Sequence, residues 1–214
     1  MSADLVSCLP AAQRLALAYC PARSRAQTLA LLALDERLSS AVRGGREPIA
    51  SQLRLAWWRD LLADSPDAWP LGEPLVAALR GWGDARSLQS LVDGWEALLA
   101  DTFALSVVAE FVDGRSHAFA ALARELGVDA VDAAAAARVW ALADLAANLS
   151  DAAERELVVE LGRNLAPPPR LPRSLRPLAV LAGLGAAALA RGGGKLLGGP
   201  ASAFHALRIG LSGR

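Results

Sequence analysis

Apolar residues recur at helical spacing along nearly the whole chain, and this periodicity constrains the fold more than any other feature. One example is the segment from Ser24 to Ala41, which carries Leu31, Leu34 and Leu38 on one stripe. Alanine makes up about a fifth of the 214 residues, and aromatic residues account for only 5%. Alanine and leucine favour helices, whereas β-branched and aromatic residues favour strands. The sequence therefore predicts an all-α protein.

Glycine, proline and polar turn residues divide this pattern into roughly eight to ten helices. The first long helix is predicted to end at Gly44-Gly45, and Pro48 suits the first turn of the next one. Gly114 is a candidate kink in a later helix. Residues 166–169 (APPP) cannot lie inside a helix and mark a connector. We therefore predict a helical domain over residues 1–165, followed by a Pro-rich connector and basic C-terminal helices over 166–214.

The helix that begins at Pro48 carries two apolar stripes. The first contains Ile49, Leu53, Ala56 and Trp57, and the second contains Leu55, Trp58 and Leu62. Two stripes predict a helix that is buried on more than one side. The Trp-Trp pair is either a core anchor with an adjacent ion pair or the wall of an apolar pocket, since aromatic residues are common in ligand cavities.

Formal charges cancel over the whole chain but are distributed unevenly. Residues 1–160 contain all 22 acidic residues and carry a net charge of about −8. The rest of the chain has no acid and eight basic residues, namely Arg163, Arg170, Arg173, Arg176, Arg191, Lys195, Arg208 and Arg214. This basic end either packs against the acidic body or binds anions, such as the peripheral anionic surface of a membrane through residues 170–214. Nucleic acid is disfavoured as a partner, because this segment has almost no aromatic side chains for base stacking.

The two cysteines, Cys8 and Cys20, belong to no metal or redox motif and are predicted to be small core residues in a reducing compartment. The N-terminus is a poor signal peptide, since it lacks a positive region. The longest apolar run, residues 178–190, is shorter than the roughly 17–25 residues that cross a bilayer. These features predict a cytoplasmic protein. Peripheral attachment to the inner membrane is a further hypothesis for the same protein.

Residues 53–59 (LRLAWWR) are the most specific motif in the chain. Together with residues 19–22 (YCPA), 29–38 and 140–145 (WALADL), this segment resembles the squalene/phytoene synthase family. It is more similar to a divergent branch that includes a mitochondrial assembly factor for respiratory complex I. The resemblance extends over most of residues 10–165.

The resemblance implies an isoprenoid synthase-like helical bundle around an apolar cavity. Active relatives condense two prenyl diphosphates and need two acidic clusters that face each other across the cavity. Each cluster places carboxylates one helical turn apart, so that they hold Mg²⁺ ions against the diphosphate. The resemblance also assigns Arg54, Trp57, Trp58 and Arg59 to the family motif beside this cavity.

The first acidic motif is degenerate, because Ser39, Ser40 and Arg43 stand where the resemblance places carboxylates. Serine is a weak neutral ligand, and arginine repels Mg²⁺. Asp35 and Glu36 lie one helical turn earlier and are candidate replacements.

The second acidic motif is thinner than the family pattern. Asp144, Asp151 and Glu154 are its candidate ligands. Asp151 is equally suited to cap the N-terminus of a helix.

These departures predict a non-catalytic squalene/phytoene synthase-like protein that binds a lipid, such as an isoprenoid, or a protein partner in the manner of an assembly factor. The alternative is an active Mg²⁺-dependent prenyltransferase that uses Asp35, Glu36, Asp144 and Asp151. The sequence leaves the choice between them open, and Mg²⁺ is expected as a cofactor only in the second case.

Overall fold

The computed structural model describes residues 2–43 and 48–213, and all regular structure in these ranges is helical. The predicted all-α class is therefore confirmed. The α-helices are α1 (Ser2–Cys8), α2 (Ala11–Ala18), α3 (Ala22–Arg43), α4 (Pro48–Ala63), α5 (Pro74–Leu79), α6 (Gln89–Ala97), α7 (Leu105–Glu125), α8 (Ala130–Asn148), α9 (Ala152–Arg163), α10 (Arg176–Ala190) and α11 (Pro200–Ser212). Short 3-10 turns cover Pro66–Ala68, Ala85–Leu88 and Arg173–Leu175.

Several helix ends follow from the local sequence. Pro48 begins α4, and the Asp129 side chain accepts hydrogen bonds from the first turn of α8. Residues 166–169 are non-helical, as predicted for the connector. Helix α3 begins at Ala22, so Ser24 lies buried within its first turn. The predicted helix end at Gly44-Gly45 lies outside the described residues.

Helix α8 lies at the centre of the core, in contact with α7, α9 and α10. Its inward positions are mostly alanine, and Ala133, Ala136 and Ala143 are fully buried. Short side chains let neighbouring helices approach closely. At Gly185 of α10, a Cβ atom would lie only 3.0 Å from the Cβ of Ala143. Because α10 is packed this closely against α8, it is part of the core.

Helices α6 and α7 meet at two glycines, Gly94 and Gly114. A Cβ atom on Gly114 would lie 2.3 Å from the backbone oxygen of Ser90 and 2.9 Å from the Cα of Gly94. Gly114 does not interrupt α7, which is a continuous helix from Leu105 to Glu125. The glycine is needed for close packing between the two helices.

One stretch, Arg173–Ala190, is long and apolar enough to cross a membrane by length and composition alone. In the folded chain 67% of this stretch is buried against other helices, as in the core helix of a globular protein. The two cysteines do not occupy the predicted core positions, since Cys8 is exposed and Cys20 is half-buried.

Candidate functional site

Helix α3 directs Asp35, Ser39 and Arg43 along one face, because residues four positions apart in a helix lie above one another. Asp35 and Ser39 are buried, whereas the Arg43 side chain is 40% exposed. Glu36 is half-buried beside this row, and Ser40 is exposed. The degenerate first motif and its candidate replacements therefore occupy the same helix, partly inside the protein and partly at its surface.

Arg115 of α7 joins the two acidic segments that the sequence singles out. Its guanidinium lies 3.0 Å from Asp35 Oδ2 and also donates to Asp35 Oδ1 through Nε and Nη2. On its other side, Nη1 donates to Asp144 Oδ2 at 3.0 Å. Asp35 and Arg115 are each only 1% exposed. The carboxylates from α3 and α8 thus face each other, with an arginine between them.

Further donors complete this arrangement. Trp95 Nε1 donates to Asp35 Oδ1 at 2.8 Å, and Arg43 Nη2 lies 3.4 Å from Asp144 Oδ2. We call Asp35, Arg43, Arg115 and Asp144 the Arg115 cluster.

Aromatic rings surround the Arg115 guanidinium. Its carbon atom lies 4.4 Å from the ring centroid of Trp140, 4.8 Å from that of Phe111 and 5.3 Å from that of Trp95. A cation near aromatic faces is stabilised by the ring quadrupole, and more strongly when water is excluded. The aromatic interior of this bundle therefore encloses a cation that belongs to the protein itself.

Burial changes the pKa values of the ionisable groups at this place. The pKa of Asp35 is raised because burial penalises the charged carboxylate more than Arg115 stabilises it. Burial also raises the pKa of Glu36, and the nearby charge of Asp35 adds to this effect. Burial alone would lower the pKa of Arg115, but Asp35 and Asp144 outweigh it and the net shift is upward. The guanidinium is therefore held firmly in its charged form.

The described residues do not fit a magnesium site at this place. Mg²⁺ needs free oxygen ligands in near-octahedral geometry. Both Asp35 oxygens and Oδ2 of Asp144 are already bonded to arginine, and a second cation beside Arg115 would be repelled. Within residues 2–43 and 48–213, no group of three or more His, Cys, Asp or Glu side chains is arranged to hold a metal ion.

The other predicted acidic ligands lie apart from this cluster. Asp151 is exposed, and its carboxylate accepts hydrogen bonds from the backbone N–H groups of Ala153 and Glu154, as an N-cap of α9. Glu154 is half-buried in the first turn of α9. In the part of the chain that the structure describes, neither forms an ion pair or hydrogen bond with the Arg115 cluster.

The two serines of the degenerate motif differ in their surroundings. Ser39 is only 3% exposed, and its Oγ has no hydrogen-bond partner among the described residues. Ser40 lines a groove of about 490 Å³ between α3 and α4.

The Trp-Trp-Arg segment divides between core and surface. Trp58 is buried, whereas Trp57 is 45% exposed and meets the Trp58 ring edge-on at 4.8 Å between centroids. Both rings line the groove, together with exposed Arg54. Arg59 instead points to α6, where Asp93 and Glu96 bind its guanidinium and raise its pKa. Trp58 is therefore both a buried core residue and part of the groove wall, whereas Trp57 belongs to the groove wall at the surface.

The prediction that α4 is buried on two sides is wrong. Leu55, Trp58 and Leu62 are buried, but Ile49 is 70% exposed and Leu53 is 66% exposed. We call Ile49, Leu53 and Trp57 the α4 stripe. No described helix covers this stripe, so it forms an exposed apolar surface, and its Leu53 and Trp57 also line the groove.

Arg115 is the central residue that sequence reasoning missed. Arginine is usually exposed, and spacing alone gave it no role. One signal was present, because Phe111, Phe119 and Leu122 lie four positions before, four after and seven after it. An arginine on the apolar stripe of a helix is a candidate for a buried ion pair.

Comparisons of this chain with protein-family models, curated proteins and solved structures found no match. The geometry of the site therefore carries the functional argument.

Proposed function

We propose that this chain is a non-catalytic protein of the squalene/phytoene synthase type, with an isoprenoid synthase-like bundle, that binds a lipid or a protein partner in the manner of an assembly factor. The observation that carries the proposal is the position of Arg115 between Asp35 and Asp144. The family resemblance assigns facing carboxylates to magnesium, and here the opposing acids are joined by a guanidinium.

Two features of this arrangement disfavour the binding of a prenyl diphosphate with magnesium. A magnesium ion would have to displace a buried guanidinium that is bonded to both carboxylates. Breaking a buried pair by removing one partner costs about 3–5 kcal/mol, because the remaining charge stays uncompensated. In addition, Arg115 puts a charged guanidinium among the rings of Trp95, Phe111 and Trp140, and a buried charge does not suit an apolar substrate chain.

The groove between α3 and α4 supports the binding part of the proposal. Its volume of about 490 Å³ falls within the range typical of small-ligand pockets. Leu53, Trp57 and Trp58 give it an apolar wall, and Arg37 and Arg54 lie at its edge. Arg37 is paired with Glu73, whereas Arg54 has no acidic partner among the described residues. An isoprenoid or another lipid with one anionic head group suits this combination.

The catalytic part is tested by incubating the purified protein with allylic prenyl diphosphates, with Mg²⁺ and with EDTA. We expect no condensation product, and diphosphate binding that Mg²⁺ does not strengthen. Magnesium-dependent turnover that is lost in Asp144→Asn would contradict the proposal and establish the alternative, an active prenyltransferase.

The binding part is tested with an isoprenoid monophosphate in the presence of EDTA. We expect Trp57→Ala and Arg54→Gln to weaken binding about tenfold each, since each removes a contact in the groove. The matched control is Leu71→Ala, which truncates a side chain that is 90% exposed elsewhere and should leave affinity unchanged. Equal affinities for wild type and the groove variants would place the ligand elsewhere and contradict a lipid site in this groove.

A further inference from the structure

Helix α11 is apolar on two opposite sides. Its inner side contains Ser202, Ala206 and Ile209, all buried. The side chain of Ile209 packs against Gly183 of α10, where a Cβ atom would lie 2.2 Å from its Cδ1. This contact fixes which side of α11 is turned to the core.

The opposite side of α11 is exposed and also apolar. Phe204 is 69% exposed, Leu207 is 44% exposed and Leu211 is 73% exposed. Their spacing of three and four residues places them on one helical face. We call these three residues the α11 outer face. In a helix already anchored to the core by its inner side, this second apolar row is not needed for packing.

Basic residues lie at both ends of this face and within it. Arg191 and Lys195 are exposed in the connection that precedes α11, and Arg208 is exposed on α11 itself. At the far end, Arg173 and Arg176 line a cleft of about 400 Å³ together with Leu211. The α11 outer face therefore follows a basic connection, carries Arg208 on the same helix, and adjoins the cleft that Arg173 and Arg176 line.

The cations around α11 lack the carboxylate partners that five arginines elsewhere in the protein have. Arg37, Arg43, Arg59, Arg115 and Arg138 each lie within ion-pair distance of a carboxylate. Within the described residues, none of the five basic residues around α11 forms an ion pair. No acid follows Glu160 in the sequence, so nothing in this segment neutralises them locally.

We propose that the α11 outer face docks on an anionic phospholipid bilayer. Phe204, Leu207 and Leu211 enter the boundary between head groups and acyl chains, and the surrounding cations contact lipid phosphates. An interfacial helix of this kind needs an apolar face and basic residues near the surface. A row of separate side chains on a convex helix suits a bilayer, which requires no complementary shape, better than it suits an acidic protein. This inference is independent of the groove on α4.

The experiment uses the full chain and sedimentation with two kinds of vesicle, phosphatidylcholine alone and phosphatidylcholine mixed with phosphatidylglycerol. We expect binding to the mixed vesicles only, and loss of that binding at high salt, because screening weakens contacts between exposed charges. Phe204→Asp combined with Leu211→Asp should weaken binding about tenfold or more, and Arg191→Gln combined with Lys195→Gln should have a similar effect.

Matched variants elsewhere separate docking from general surface effects. Val131→Asp changes an apolar residue that is 76% exposed near the start of α8, and Arg124→Gln removes an exposed charge at the end of α7. Both should bind the mixed vesicles like wild type, with unchanged helical circular dichroism in every variant. The proposal is overturned if wild type does not bind the mixed vesicles. It is also overturned if the α11 variants bind as wild type does, or if Leu53→Asp on α4 abolishes binding while they do not.

Discussion

Basic side chains have opposite surroundings in the Arg115 cluster and in the segment around α11. Arg115 is 1% exposed, bonded to two carboxylates and enclosed by three aromatic rings. Arg173, Arg191 and Lys195 are exposed and have no acidic partner among the described residues. The difference is that the charges of the Arg115 cluster are paired inside the protein, whereas those around α11 have no acidic partner among the described residues.

Charged groups in the two regions should also differ in whether they contribute to stability or to binding. A buried charge that loses its partner pays a large desolvation penalty, whereas an exposed charge remains solvated by water. Changes in the Arg115 cluster should therefore affect folding, and changes around α11 should affect binding only. The following predictions test this separation, from the largest expected effect on stability to the smallest.

The largest effect is expected from Arg115→Met. Removal of the guanidinium leaves Asp35 buried without its main counter-charge, so the free energy of unfolding should fall by about 3–5 kcal/mol. Denaturation by urea, followed by circular dichroism, measures the change. Arg124→Met, at an exposed position near the end of the same helix, is the control and should change stability by about 0.5 kcal/mol or less.

A second variant determines whether the loss arises from uncompensated charge. The triple replacement of Asp35→Leu, Arg115→Met and Asp144→Leu removes the charges together and should recover most of the stability that Arg115→Met loses. A triple variant no more stable than Arg115→Met would contradict this explanation and indicate that shape, not charge balance, is decisive at this place.

Trp95→Phe should have a smaller effect. It removes the N–H group that donates to Asp35 and keeps an aromatic ring, so we expect a loss of about 1–3 kcal/mol in the free energy of unfolding. The matched control is Trp82→Phe, because the indole nitrogen of Trp82 is buried without a hydrogen-bond partner in the described chain. Its removal should be neutral or stabilising, and equal losses in both variants would argue against a role for the Asp35 hydrogen bond.

Glu36→Gln should change the pH dependence of stability. Because the pKa of Glu36 is raised in the folded protein, its contribution is complete below the unfolded value of about 4.3 and is lost as pH rises through the folded value. Relative to Glu36→Gln, wild type should therefore become less stable as pH increases through this window. Urea denaturation from about pH 3 to 8 checks this. A constant difference between the two proteins would contradict it, and exposed Glu156→Gln serves as the control.

The smallest effect on stability is expected from Arg191→Gln combined with Lys195→Gln. Both side chains are exposed and unpaired among the described residues, so the free energy of unfolding should change by about 0.5 kcal/mol or less. Thermal unfolding without vesicles measures it. A large loss would show that these cations stabilise the fold, and it would erase the contrast with Arg115.

The helical class was predictable from the sequence, because helix propensity and apolar spacing are properties of short segments of the chain. The start of α4 at Pro48 and the connector at residues 166–169 are as expected. The burial of α4 was not predictable in the same way. Periodicity shows that Ile49 and Leu53 share a face, but it does not show whether another element covers that face.

The candidate site was predictable in part. Asp35 and Asp144 are indeed brought together, although they are 109 positions apart in the sequence. What joins them depends on α7, whose Arg115 reaches both acids only when three helices are packed. Spacing along one helix carries no information on such a contact. Asp151, by contrast, forms the local N-cap that its position before α9 indicated.

A cation that is part of the polypeptide has a consequence for the environments in which this protein can keep its structure. Arg115 is attached to its own helix, so its presence between Asp35 and Asp144 does not depend on any dissociable ion. Chelating agents and changes in magnesium concentration therefore cannot remove the cation at the centre of the bundle. The protein is expected to keep its interior electrostatics intact under metal starvation, a condition in which an enzyme relying on bound ions would lose them.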